Sequence, residues 1–324
     1  MKLSIIIPLY NTEKYIQKCI ESIYINVKGE INLSDFEVIV INDGSSDNGR
    51  SIVEDLMFKY DNLLLINKEN GGQSSARNVG FKIAKGNYIF CLDSDDYVDS
   101  LSLFNALRFC EEHDLDMMPI FHRIFDENYK ELPVGKDVYQ EFDSIITGGE
   151  FMNKFVVSGS MWRYFYKTSI IKDNDLYLTE GIYHEDEEFI MKFLSYSKRI
   201  SYSKFLVYNH IIRSDSTVNK KNKDHRIKLL NDILVVIEHL DQHKLIFKEE
   251  KNIFNGLQKK IEQLSISLFL RMKQDQLSLE EVQEFIEKLN AINRFPLKAD
   301  KLKIKFKIAA FVFNTGLFRK IIFK

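Results

Sequence analysis

Residues 88–100 read YIFCLDSDDYVDS. An apolar, β-rich run suited to the middle of a sheet is cut off by three carboxylates in four positions, Asp93, Asp95 and Asp96. In an extended chain alternate side chains share a face, so Asp93 and Asp95 project together, roughly 6 to 7 Å apart along the strand. That arrangement suits one divalent cation. Mg²⁺ and Mn²⁺ take oxygen ligands and commonly use one or two carboxylates, with phosphate oxygens completing the shell. The alternative is a solvated acidic turn that caps the next helix through Asp99 or Ser100. Taken alone the stretch reads as the acidic turn, and it is the rest of the chain that changes this.

Working outward, this strand is the last of four. Before it, short apolar runs alternate with amphipathic segments: LSIIIP (3–8), Thr12 to Val27, FEVIVIN (36–42), Asp47 to Tyr60, NLLLIN (62–67), Ser74 to Ala84 and YIFCL (88–92). Strand and helix alternating at these lengths predict a parallel sheet covered on both faces, a Rossmann-like doubly wound half. Ligands of such sheets bind outside the carboxyl ends of the strands. Those ends read PLYN (8–11), NDGSSD (42–47), NKENGG (67–72) and DSDD (93–96), all polar or turn-forming. Past residue 100 the pattern loosens into a helix near Ser100 to His113 and a short strand in DMMPIF (116–121). An irregular region, GSMWRYFYKTS (159–169), holds the only tryptophan, Trp162. A helix starts near His184, and a strand lies in FLVYNHI (205–211). From about Lys220 the sequence turns helical and polar, with amphipathic segments at Arg226 to Leu245, Lys248 to Met272 and Ser278 to Leu289.

The bulk numbers bound the answer. In 324 residues, 45% are hydrophobic and 28% charged, with only four prolines, which fits one large folded domain or two and argues against extended disorder. A formal charge of -2 does not describe a nucleic-acid binder. Cys19, Cys91 and Cys110 form no CxxC pair and read as reduced core residues of a cytosolic protein. The opening MKLSIIIPLYNTEKY carries too short an apolar run for a signal peptide, and no uncharged stretch of 18 residues occurs, so a membrane span is not expected.

The polar loops exclude two common readings. NDGSSDNG lacks the lysine and spacing of a Walker A loop, and no GxGxxG follows the first strand. Asp43 is suited to accept a hydrogen bond from a base or ribose, with Gly44 allowing the tight turn; an ordinary Asp-Gly turn with Asp47 capping the next helix is the competing reading.

SIIIPLYNTEKYIQKCIESI (4–23), VIVINDGSSDNG (38–49), NGGQSSARNVGFKIAKGNYIFCLDSDD (70–96) and HEDEEF (184–189) resemble, as an ordered set, the family 2 glycosyltransferases, inverting enzymes of the GT-A fold that use nucleotide-activated sugars. The resemblance covers about residues 1–215 and stops short of the last hundred. It implies an α/β GT-A catalytic domain over 1–218, divided into a nucleotide-binding half (1–98) and an acceptor half with mixed strands (99–218), followed by a helical C-terminal region over 219–324. Carried over residue by residue, it implies that Pro8, Tyr10, Glu13, Asp43, Asn70, Gly72 and Arg77 line the nucleotide pocket. Asp93 would meet the ribose and Asp95 the Mn²⁺ or Mg²⁺ ion of a DXD motif. Asp96, whose side chain points the other way, is left out of the set. Trp162 matches a position where relatives present an aromatic wall to the acceptor, with core packing as the alternative.

HEDEEF can also be read on helical geometry. From Asp186, the residues three, four, seven and eight further on are Phe189, Ile190, Phe193 and Leu194, so this carboxylate heads the apolar stripe. Glu185, Glu187 and Glu188 are accounted for by the helix macrodipole, but an inward aspartate is not. Desolvation raises the proton affinity of such a carboxylate, which suits a general base, and the resemblance gives Asp186 the same role. His184 reads as a helix-start residue. In YNHIIRSDSTV (208–218), Arg213 and Ser216 match the family's basic, serine-containing stretch, where a guanidinium would neutralise the leaving diphosphate; His210 departs from the pattern.

Between Pro296 and Lys324 lie Lys298, Lys301, Lys303, Lys305, Lys307, Arg319, Lys320 and Lys324 against the single acid Asp300, interleaved with Ile304, Phe306, Ile308, Phe311, Phe313, Leu317, Phe318, Ile321 and Phe323. That mixture suits an interfacial helix on an anionic membrane surface, or a helix packed on the catalytic domain with its lysines in solvent. The expectation is a metal-dependent inverting transferase, hexosyl or N-acetylhexosaminyl, that moves sugar from a UDP-sugar to a saccharide or lipid-linked acceptor in surface polysaccharide synthesis. It would be cytoplasmic and peripheral on the inner face of the membrane. The competitors are a nucleotidyltransferase, which would need a glycine-rich basic triphosphate loop, and a non-catalytic, membrane-associated sugar-nucleotide-binding module.

Overall fold

The computed structural model describes residues 1–25, 31–133, 144–213 and 222–323. The nucleotide-side elements are β1 (Leu3–Leu9), α1 (Ile16–Tyr24), β2 (Phe36–Asp43), α2 (Gly49–Met57), β3 (Leu63–Lys68), α3 (Gln73–Ile83) and β4 (Tyr88–Cys91). Next come β5 (Tyr97–Val98), α4 (Ser100–Glu112), β6 (Met117–Pro119), β7 (Phe121–Phe125), β8 (Glu131–Leu132), α5 (Gly148–Lys154), β9 (Tyr164–Lys167), α6 (Thr168–Asp173), α7 (Glu185–Tyr196) and β10 (Leu206–Ile211). The chain continues through α8 (Lys223–Lys244), α9 (Lys251–Gln274), α10 (Leu279–Ala291), α11 (Ile304–Asn314) and α12 (Gly316–Ile322).

The main sheet runs β3-β2-β1-β4-β9-β6. Its first four strands are parallel, while β9 is antiparallel to both β4 and β6. All seven residues of β1 and all eight of β2 are buried, as a strand covered on both faces requires. The register pairs Leu9 with Asn42 and Asp43 with Lys68, while β4 ends beside Ile6 of β1. The polar strand ends therefore reach one edge together. Pro8 lies past the last β1–β4 pair, so its missing N–H disturbs no ladder there. A second sheet, β5-β10-β7-β8, stands beside that edge.

The expected parallel half and the three C-terminal amphipathic helices are present, with shifted ends. α1 begins at Ile16 rather than Thr12, because 12–15 form a turn in which Thr12 O accepts from Tyr15 N and Ile16 N. DMMPIF is split between the two sheets around Ile120. The region expected to be irregular around Trp162 contains β9. Tyr164, Phe165 and Tyr166 are all fully buried, so no alternation of polar and apolar residues marks the strand. The basic tail is two helices rather than one stretch, broken at Thr315. The three cysteines are free and buried.

One apolar cluster runs from Ile6, Ile39 and Phe81 on one face of the main sheet, through Phe189 and Phe193 of α7, into Ile233, Ile237, Ile261 and Phe269 of α8 and α9. The C-terminal helices thus share the core that supports α7. No helix among the described residues is long and apolar enough to cross a membrane.

Candidate active site

Asp43, at the end of β2, is buried and holds the neighbouring loop. Its Oδ1 accepts from Lys68 Nζ (2.6 Å) and Gly71 N (2.9 Å), and its Oδ2 from Gly72 N (2.8 Å). Asn70 Nδ2 donates to the Asp43 carbonyl (2.9 Å). Gly72 lies at φ +88°, a conformation that a side chain would strain, and directly precedes α3. On the opposite side, Glu13 Oε2 accepts from Asn48 N (2.8 Å), tying the loop after β1 to the loop after β2. Tyr10 is half exposed beside them at 51%. Pro8, Tyr10, Glu13, Asp43, Asn70 and Gly72 thus lie at one carboxyl edge.

Asp93 and Asp95 of the 93–96 turn each pair with an arginine, and Asp96 meets a histidine. Asp93 accepts from Arg77 Nη2 (2.6 Å) and Gln73 Nε2 (3.2 Å). Asp95 pairs with Arg213 Nε (2.9 Å). The extended geometry expected for 93–96 is not present: Asp96 N donates to Asp93 O (3.0 Å) and closes a turn, so strand alternation does not set these side chains. Within that turn Asp96 points inward and is fully engaged: Tyr208 OH (2.7 Å), Ile211 N (2.7 Å) and His210 Nδ1 (3.1 Å) contact its carboxylate. Tyr208 OH also accepts from Asp93 N (3.2 Å). Burial, followed by repulsion from Asp96 and Asp93, pushes Asp95 up to about 6. Among the described residues no three His, Cys, Asp or Glu side chains converge into a metal cage.

Trp162 is 8% exposed, stacked on Tyr208 (centroids 4.3 Å apart, 13°) and near-parallel to His210 (5.8 Å). Through Tyr208 it backs the 93–96 turn, a buried packing position. Ser216 lies outside the described residues.

Arg77, 4% exposed, joins this edge to α7: besides Asp93, it approaches Glu185 Oε1 at 4.0 Å. The turn before α7 is held by His184 in the left-handed region (φ 67°). Burial, reinforced by Arg271, pushes this histidine down to about 4, which leaves Nε2 neutral to accept from Arg271 Nη1 at 3.2 Å. Phe189, Ile190, Phe193 and Leu194 are buried as the stripe predicts. Asp186 heads it, partly buried, and among the described residues its carboxylate accepts one hydrogen bond, from Glu187 N (2.8 Å). Desolvation first, then Glu185 and Glu187, push it up to about 8.

Two residues escaped the sequence reading. Glu188 is the most buried acid of its turn, at 2%, and its carboxylate meets Thr179 Oγ1 (2.9 Å), His239 Nδ1 (3.1 Å) and Lys192 Nζ; the macrodipole is not what places it there. Lys68 was missed although it sits in register with Asp43, a signal available by aligning the strand ends.

A family model described as glycosyl transferase family 2 matches residues 4–174. Among curated proteins, the poly(ribitol-phosphate) beta-N-acetylglucosaminyltransferase TarS of Staphylococcus aureus is 33% identical over 207 residues, covering 62% of this chain and 34% of that protein. The poly(ribitol-phosphate) beta-glucosyltransferase of Bacillus spizizenii is 30% identical over 218 residues, covering 66% of this chain and 33% of that one. The chain spans about a third of the length of these two relatives. Among solved structures, S. aureus TarS 1–349 in complex with UDP-GlcNAc matches with a TM-score of 0.72 at 23% identity, over 99% of this chain and 90% of that one. The mannosyltransferase PcManGT of Pyrobaculum calidifontis, in complex with GDP-Man and Mn²⁺, matches at 0.51 and 14% identity, over 97% of this chain and 86% of that one. At these identities the two structures establish the fold, the expected GT-A sheet followed by C-terminal helices.

Proposed function

The chain belongs to glycosyl transferase family 2, and from that membership we propose that it transfers a sugar, with inversion, from a nucleotide donor to a saccharide or lipid-linked hydroxyl in surface polysaccharide synthesis. The observation that carries this is Arg77. It joins the acidic strand edge, through Asp93, to the helix turn that presents Asp186, through Glu185. On this reading the donor site and the proton acceptor would lie on two sides of one buried guanidinium. Residues 1–218 form the catalytic unit on this reading, with the nucleotide held by 1–98 and the acceptor by 99–218.

In the proposed reaction Asp186 takes the proton of the acceptor hydroxyl. The oxygen attacks the anomeric carbon from the face opposite the nucleotide, and the bond to the diphosphate oxygen breaks in the same displacement. Pro8, Tyr10, Glu13, Asp43, Asn70 and Gly72 line the nucleoside side, Asp93 meets the ribose, and Trp162 backs the acceptor. Arg213 and Ser216 meet the diphosphate. An all-oxygen donor set, with Asp95 partly exposed and no protein cage among the described residues, fits a Mg²⁺ or Mn²⁺ ion shared with phosphates, and Asp95 would hold it. When bound, such an ion offsets the charge that develops on the departing diphosphate. UDP is favoured as the nucleotide because a relative of the same fold is described with UDP-GlcNAc. A panel of UDP-, GDP- and TDP-sugars, assayed by nucleotide release with Mn²⁺ or Mg²⁺, tests the reading: metal-stimulated release from a UDP-sugar is expected, and nucleotide binding with no turnover of any donor would overturn it.

The tail supports a place for this reaction. Ile304 (71% exposed), Ile308, Phe311 and Leu317 are solvent-facing among Lys301, Lys303, Lys305, Lys307 and Lys320, while Ala310, Phe313 and Phe323 pack inward. Apolar side chains ringed by cations fit an anionic bilayer on the cytoplasmic face. The protein is expected to sediment with phosphatidylglycerol vesicles but not with pure phosphatidylcholine, and K305E/K307E to weaken that binding about tenfold or more. Absence from both kinds of vesicle would remove the membrane from the proposal.

A further inference from the structure

The first turn of α7 carries four acids, and three are tied to other parts of the chain. Glu185 faces Arg77 of α3, Glu188 meets His239 of α8, and Glu187 forms an ion pair with Lys260 of α9. Lys260 is 7% exposed and also donates to Val157 O (3.3 Å). Glu187 also packs on Gly159, where a Cβ would lie 2.5 Å from the Glu187 Cδ. Just upstream, Tyr183 N donates to Asp232 of α8 (2.9 Å), and Arg271 of α9 donates to His184 (3.2 Å). The segment that carries Asp186 is thus gripped at four points by helices lying beyond residue 220.

We propose that Lys260 is a positioning residue of the active site, fixing through Glu187 the place and electrostatic surroundings of the Asp186 carboxylate. The inference rests on the reading of Asp186 as the base. The charged groups that face Asp186 are Glu185 and Glu187 on its own helix and Arg77 on α3. Glu187 opposes ionisation of Asp186, and the Lys260 ammonium paired with Glu187 is placed to offset that charge. Removing the lysine and removing the glutamate should therefore move the proton affinity of Asp186 in opposite directions, which a merely structural contact would not do.

The test is carboxyl-¹³C NMR of aspartate-labelled full-length protein, with the Asp186 signal assigned by its loss in Asp186→Asn. Lys260→Met should raise the midpoint of Asp186 by about one pH unit, Lys260→Arg should restore it, and Glu187→Gln should lower it. The Lys260→Met/Glu187→Gln double variant should return close to the parent. A folded Lys260→Met protein with an unmoved midpoint, or a Glu187→Gln shift in the same direction as Lys260→Met, would overturn the proposal. Should Lys260→Met not fold, Glu187→Gln and the double variant carry the test. Because no donor is present, the result is independent of turnover. Sugar transfer retained by Asp186→Asn would refute the base and leave the coupling intact.

Discussion

Asp186→Asn is expected to lower kcat for sugar transfer by about 10³-fold, within the range for removing a positioned base, while UDP affinity stays within about twofold. The asparagine keeps the shape and the Glu187 N contact but cannot take a proton. Since the parent carboxyl is pushed up to about 8, first by desolvation and then by its glutamate neighbours, kcat/KM of the parent should climb with pH and level off above that value. The limb should be missing from the residual activity of the variant. The sign for stability is opposite. A carboxyl whose folded pKa lies above its unfolded one favours the fold at low pH and loses that contribution as pH rises through the folded value. Asp186→Asn should therefore have the higher Tm at pH 9, with the difference closing toward pH 4. Transfer at the parental rate, measured by nucleotide release, would remove Asp186 from the mechanism.

Asp95→Ala is the second large effect: transfer should fall by at least about 10²-fold, and metal should no longer strengthen UDP binding. Asp95 is the one carboxylate of the turn whose protein partner, Arg213, is itself proposed to turn toward the diphosphate. Asp93 and Asp96 are engaged by Arg77 and by Tyr208, His210 and Ile211, so neither replaces it. Calorimetric titration of UDP with and without Mn²⁺ decides: an undiminished gain from the metal in Asp95→Ala would place the ion elsewhere.

The parallel half of the fold was legible because buried parallel strands appear as uninterrupted apolar runs and each one stops at a polar loop. Asp96 does face inward, but within a turn closed by Asp96 N on Asp93 O, which the assumption of an extended chain did not foresee. β9 was illegible for a related reason: Tyr164–Lys167 is buried on both faces and flanked by other aromatics, so nothing distinguishes a strand from a buried coil. At the site, the stripe on α7 pointed to Asp186. The macrodipole argument failed at Glu188, because Thr179, Lys192 and His239 that bury it come from the preceding loop, the next turn and a helix some fifty positions later. Lys260 and Arg271 belong to the same class: their importance comes from where α9 packs, and one helix's periodicity carries no information about which neighbour it meets.

The Tyr208 hydroxyl accepts from Asp93 N and donates to Asp96 Oδ2, while its ring lies under Trp162. A single phenol thereby freezes the 93–96 backbone against a strand of the other sheet. The conformational entropy of that turn is surrendered during folding, so a donor bound as proposed would meet a rim that is already shaped and would need to order little of it.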